Sequence, residues 1–248
     1  MVQRRLSVRA WAALLVAVLT AVSVACSAVG DRRAEQAGAT GAVSTAGAPP
    51  GRATVAAAGD PLAGIRIVAA RAKAPVRYRR AAFGEAWTDD SGAALGHNGC
   101  DTRNDILDRD LTDKTYVHVH SCPRAVATGT LIDPYTGQTM HFVRGPKTSA
   151  KVQIDHIVPL AYAWDMGAYA WDDAKRTRLA NDPRNLVAVD GPSNDNKKDS
   201  PPGRWMPSNE GFHCQYVEQF AGISREYGLS VDAGSAAVIR QVESVCRG

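Results

Sequence analysis

The stretch KVQIDHIVPLAYAWD, residues 151–165, sets an Asp beside a His at the end of an apolar, β-branched run. A carboxylate can hold a hard cation, and an imidazole can take a proton from water at neutral pH. Neighbours on a strand project to opposite faces, so Asp155 could ligate a metal and leave His156 free as a base with an ordinary pKa of about 6.5. Two amides and several cations follow. Asn185 precedes the apolar run LVAV, Asn194 stands nine residues later in GPSNDNKKDS, and Lys197 lies three beyond it, followed by Lys198. Asn196 offers a second amide in the same run. An Asp-His pair alone often does no more than end a buried strand, so its meaning rests on the elements around it.

Those elements can be read from periodicity and punctuation. VQIDH is apolar and β-branched and reads as a strand, and NLVAV reads as a second one. Between them, residues 160–180 read as helical, with Asp172 and Asp173 near a second helix start. GPSNDNKKDS reads as a turn and a polar helical turn, with Pro192 near its start. The order is strand, inserted helices, strand, helix. Upstream, residues 113–122 alternate, with Tyr116, His118 and His120 on one face; the two His read either as a metal pair or as the polar face of a strand. Residues 127–143 read as a β-hairpin about Asp133-Pro134-Tyr135-Thr136-Gly137. Residues 211–228 and 231–246 carry two helical patterns joined by a short turn, which predicts an antiparallel helix pair.

The residues DHIVPL, followed by NDPRNLVAVDGPSNDNKKDSPPGRWMP, resemble the HNH, or ββα-metal, nucleases. The similarity is greatest to exported actinobacterial proteins related to the C-terminal domain of GmrSD-type restriction endonucleases. It is carried at motif level by residues 151–207 and extends more loosely toward residue 75. The resemblance implies an α+β fold with a ββα-metal core, inserted helices, an upstream hairpin and the C-terminal helix pair. It implies hydrolysis of phosphodiester bonds in DNA or RNA, DNA foremost; export and the lack of an obvious base-reading module point to cutting without sequence specificity. Asp155 and Asn194, or alternatively Asn196, would hold one divalent ion, and oxygen ligands favour Mg²⁺ or Mn²⁺. His156 would activate water and Asn185 would brace the loop. Lys197, Lys198 and Arg204 would meet substrate phosphates, whereas Trp205 reads as core rather than as a stacking platform.

The rest of the chain sets the compartment. Arg4, Arg5 and Arg9 precede an apolar run that ends in VSVAC, which reads as a secretory leader over residues 1–26. Cys26 stands where a bacterial lipoprotein would be acylated, so the chain is expected to be secreted or lipid-anchored to the outer face of the cell membrane. Residues 27–60 are rich in Ala, Gly, Ser, Thr and Pro and read as a disordered tether, leaving residues 61–248 as one domain. The net charge is +4, but three positive charges belong to the leader, so overall basicity does not point to nucleic acid. A local patch does carry charge: residues 66–80 hold six Arg or Lys and no acid, and read either as a solvated arm or as a phosphate-binding face. Four further cysteines in an exported chain predict two disulfides. The helix pair brings Cys214 toward Cys246, leaving Cys100 with Cys122. Two rival functions remain open: a noncatalytic nucleic-acid-binding lipoprotein of the same fold, and a zinc hydrolase built on His118 and His120. No protein partner is expected.

Overall fold

The computed structural model of the protein describes residues 59–247. The leader with Cys26, and the tether up to residue 58, lie outside the described residues. Helices and small sheets alternate, giving a mixed α+β architecture. Strand β1 (Ile67–Val68) pairs in parallel with β7 (Val231–Asp232). Strands β2 (Thr112–Val119), β3 (Cys122–Ile132) and β4 (Thr139–Val143) form an antiparallel sheet. Strands β5 (Val152–His156) and β6 (Leu186–Asp190) form an antiparallel ribbon, with Asp155 opposite Val187 and His156 opposite Leu186. Among the described residues, no helix is long and apolar enough to cross a membrane.

The β5–β6 ribbon lies between two hydrophobic clusters, which explains its unbroken apolar sequence. Val152, Ile154, Leu186 and Ala188 pack with Ile106, Leu107, Val126 and Phe142. Val187 and Val189, on the opposite face, pack with Tyr135, Leu179, Tyr216 and Phe220. The alternation assigns the two polar residues as well. Asp155 shares its face with Val187 and Val189, and His156 shares its face with Ile154 and Leu186. The free edge of β6 is closed by helix α1 (Thr102–Asp110). Arg109 donates to the Leu186 carbonyl at 2.7 Å, and Asp110 accepts from the Ala188 amide at 2.8 Å. A buried strand edge thereby keeps its backbone groups paired.

The insertion between the strands is helical and restarts at the second helix start that the sequence predicts. Helix α2 (Leu160–Asp165) ends at Met166 and Gly167, where Gly167 has φ 138° and the backbone leaves the right-handed region. Helix α3 (Asp173–Asn181) restarts on Asp172, whose side chain accepts from the Lys175 amide at 2.7 Å. Helix α4 (Gly191–Lys197) follows β6 directly, with Asp190 as its cap and Pro192 in its first turn. Helices α5 (His213–Tyr227) and α6 (Ala233–Cys246) form the expected C-terminal pair, turned at Gly228 in the left-handed conformation. Both expected disulfides are present, Cys100–Cys122 and Cys214–Cys246.

One expected face does not form. Register shifts interrupt β2, the strand ends at Val119, and His120 sits in a turn with φ 48°. His118 Nε2 is bonded to the His120 carbonyl at 2.7 Å, so the two imidazoles do not share a strand face. Among the described residues, no group of three or more His, Cys, Asp or Glu is arranged to hold a metal. The zinc reading of His118 and His120 therefore has no geometry behind it.

Asp105 on α1 gives a pH-dependent test of this packing. Burial pushes its carboxyl up to about 6; the Asn98 amide opposes the shift and Asp89, Asp101 and Asp108 add to it. An unfolded Asp titrates near 3.9, so the folded chain binds more protons between about pH 4 and pH 6, and stability falls as pH rises through that window. Asp105→Asn keeps an acceptor for Asn98 and removes the charge. It is expected to raise the thermal midpoint at pH 7, with the gain fading toward pH 4; an equal effect at both pH values would contradict this account.

Candidate functional site

Asp155 and His156 end β5 at the wall of a cleft of about 380 Å³, lined also by Tyr78, Arg80, Asn194 and Lys198. Both are almost fully buried, at 6 % and 5 % exposure. The two side chains leave the ribbon on opposite faces and meet different partners.

On one face, Asp155 Oδ2 pairs with the Lys197 ammonium at 2.7 Å and accepts the Tyr135 hydroxyl. Lys197 is completely buried and also donates to the His156 carbonyl at 2.8 Å. Burial lowers the Lys197 pKa, and the Asp155 carboxylate opposes that shift. Burial, together with the adjacent Asp155, holds Tyr135 well above the usual phenol range, so it donates as a neutral hydroxyl. Lys197 therefore does not reach the cleft, and the phosphate contact expected of it is replaced by an internal ion pair. The geometry leaves Asp155 Oδ1 without a hydrogen-bond partner among the described residues.

Asn194 is oriented by a short relay. A carboxylate only accepts, so the 3.4 Å contact to Asp195 identifies Gln153 Nε2 as donor and leaves Gln153 Oε1 to accept from Asn194 Nδ2 at 2.8 Å. Asn194 Oδ1 remains unpartnered among the described residues. Two oxygens from opposite ends of the strand–helix unit, Asp155 Oδ1 and Asn194 Oδ1, are thus available to a hard divalent cation, and oxygen donors suit Mg²⁺ or Mn²⁺. Asn196 is differently placed: its Oδ1 accepts from Trp205 Nε1 at 2.9 Å. Trp205 in turn packs edge-on against Tyr135, with ring centroids 4.9 Å apart, as core.

On the other face, His156 Nε2 is 2.9 Å from the Ala180 carbonyl. A carbonyl can only accept, so Nε2 carries the proton and Nδ1 is the basic nitrogen. Trp87 stacks on the imidazole with centroids 5.4 Å apart and planes 11° from parallel. Burial pushes the His156 pKa down to about 3, and the charges of Arg80 and Lys197 act in the same direction. The ring is therefore neutral at physiological pH, with Nδ1 unprotonated.

Asn185 closes the base of the insertion. Its Oδ1 accepts from the Val158 amide at 2.8 Å, its Nδ2 donates to the Val158 carbonyl at 3.3 Å, and its own carbonyl accepts from Ile157 at 2.8 Å. It is fully buried and does not line the cleft. Lys198 lines the cleft, whereas Arg204 lines a separate recess with Arg71, Asp199 and Asp232.

Tyr135, Trp87 and Arg80 are site residues outside the motif span 151–207, and Gln153 lies inside it without having been singled out. Two carried a signal of their own: Tyr135 is a large aromatic in a turn of otherwise small and polar residues, and Trp87 stands in a segment rich in Gly, Ser and Asp.

Asn185→Ala would orphan both backbone groups of Val158 inside the core. It is expected to cost about 2–3 kcal/mol in urea unfolding. A change below about 0.5 kcal/mol, the range of an ordinary surface substitution, would show that the clip is not needed.

Residues 101–239 match the family described as GmrSD restriction endonucleases, C-terminal domain, a longer span than the motif alone. A protein of Arthroderma benhamiae, described as an uncharacterized secreted protein, is 33% identical over 150 residues, covering 59% of this chain and 68% of that relative. No solved structure matches. With more than half its length matched, and with the matched span containing Asp155, His156, Asn185 and Asn194, the chain belongs to the GmrSD restriction endonuclease C-terminal domain family.

Proposed function

We propose that the protein is an exported, metal-dependent endonuclease of the HNH class, and that β5, β6 and α4 are its ββα-metal core. The observation that carries this reading is the convergence on one cleft of a neutral imidazole, an ion-paired carboxylate with one free oxygen, and an amide with a free oxygen. Asp155 and Asn194 would hold one Mg²⁺ or Mn²⁺. Such an ion supplies positive charge to a phosphoryl oxygen and to the departing oxygen. His156 takes the proton of the attacking water on Nδ1, while the Ala180 carbonyl holds Nε2–H and stabilises the imidazolium that forms. Trp87 keeps the ring from turning. Tyr135 and Lys197 hold Oδ2 of Asp155, so that Oδ1 is the oxygen that would be left to hold an ion.

The substrate is a nucleic acid, with DNA the first to test and no sequence specificity expected. A site outside the cytoplasm fits the two disulfides and the secreted relative. Whether the chain is released or anchored through Cys26 is a separate proposal.

The test is plasmid cleavage by the purified, oxidised protein. Cutting is expected with Mg²⁺ or Mn²⁺ and not with EDTA. His156→Ala is expected to lower the rate by about 10²–10⁴-fold while preserving oligonucleotide binding. Asn194→Ala should raise the metal concentration needed for half-maximal rate; Asn196→Ala, whose amide serves Trp205, should leave it nearly unchanged. Binding without cutting under every metal, from folded protein, would favour a noncatalytic nucleic-acid-binding role instead.

A further inference from the structure

The cleft contains more positive charge than its proposed metal chemistry uses. Three carboxylates line it, Asp155, Asp195 and Asp199. Two of them are paired with cations that do not line it: Asp155 with Lys197 at 2.7 Å and Asp199 with Arg71 at 2.9 Å. Asp195 takes only the Gln153 amide, at 3.4 Å. The two cations that do line the cleft, Arg80 and Lys198, make no ion pair among the described residues. They enter from different parts of the chain. Lys198 caps α4 with φ 54°, beside Asn194. Arg80 begins the 3-10 turn Arg80–Phe83, which leads toward Trp87.

Arg80 is not carried on a loose arm. Asp165 accepts from Arg71 at 2.8 Å and from the Ala74 amide at 3.1 Å, and Trp164 Nε1 donates to the Val76 carbonyl at 2.7 Å. Phe83, at the far end of the turn, is buried against Trp164 and Tyr78. The backbone on both sides of Arg80 is thereby fixed against α2, while the guanidinium itself stays exposed. It lines the same cleft as Asp155, His156 and Asn194. An anchored guanidinium with no carboxylate partner among the described residues is suited to phosphate, because its planar fork can bond two oxygens at once.

We propose that Arg80, from outside the family-matched span, binds the phosphate undergoing cleavage, with Lys198 as a second cation of the same cleft. The proposal rests on the endonuclease reading of this site. It assigns the basic segment 66–80 a substrate-binding role through one residue, rather than through its charge as a whole. The ligand is a phosphodiester polyanion.

The experiment compares Arg80→Ala, Arg80→Lys and Arg79→Ala in the full oxidised chain. Arg79 is the exposed neighbour, carries the same charge and does not line the cleft. In steady-state cleavage, Arg80→Ala is expected to lower kcat/KM by about 10²-fold or more, in the range of losing one charge-stabilising donor. Arg80→Lys should recover part of that loss, and Arg79→Ala should change it less than about threefold. A second readout is the anisotropy of a labelled oligonucleotide in EDTA. There Arg80→Ala should make the slope of log K against log salt shallower by about one. Equal effects of Arg79→Ala and Arg80→Ala in both readouts would overturn the proposal. Should the wild type fail to cut nucleic acid, the endonuclease reading falls, and the anisotropy comparison still decides whether Arg80 binds phosphate.

Discussion

A carboxylate on a strand buried on both faces is the constraint from which the site is built. Asp155 lies where the ribbon is covered by Tyr135 and the large helical core, and an isolated charge there would be costly. Lys197 and Tyr135 remove that cost by placing a full positive charge and a neutral donor on one oxygen. Removing one partner of such a buried pair typically costs about 3–5 kcal/mol, because the other is left uncompensated. The same ammonium bonds the His156 carbonyl, so it ties α4 to the end of β5 at two points. Asn194 lies three residues before Lys197 on that helix, and residues three apart are neighbours on a helix surface. Anchoring Lys197 therefore also sets the position of Asn194 relative to Asp155.

The opposite face of the ribbon is organised by packing rather than by charge. His156 is held by one carbonyl and one indole. Ala180 comes from the end of α3, so the inserted helices help orient the His156 ring as well as filling the core. Asn185 clips the two ends of that insertion together, which keeps the Ala180 carbonyl in register with the ring. Trp87 comes from the other direction. Its own carbonyl accepts from the Thr102 amide at 3.0 Å, and its segment is tied to β3 through Cys100–Cys122. A disulfide far from the cleft in sequence thus bears on the orientation of a site residue.

The local elements could be read in the sequence because each is coded within a few residues. Asp172 and Asp190 announce helix starts, Gly228 a helix end, and the unbroken VAV of β6 a strand buried on both faces. The Cys214–Cys246 pairing followed from two helical patterns and a short turn. The environment of Lys197 was not legible. Lysine is almost never fully buried unless paired, and its partner lies far away in sequence on another element. Tyr135 was hidden for a similar reason. Its hairpin is local, but what places it on Asp155 is Asp133, which bonds the Asp190 amide at 3.0 Å across a long separation. For His118 and His120 the period-two reading failed because register shifts break the alternation that it assumes.

The boundary of the family-matched span does not coincide with the boundary of the site. The match begins at Asp101, the cap of α1, so it encloses the ribbon, the insertion and α4. Trp87, Arg80 and Cys100 precede it. A domain cut at residue 101 would retain both unpartnered oxygens and the whole Asp155 network, because Tyr135, Gln153 and Lys197 lie inside. It would lose the ring stacked on His156, one cation of the cleft, and the partner of Cys122. The Asp155–Lys197 network is therefore contained in the matched span, while the surroundings of His156 are completed by the segment before it.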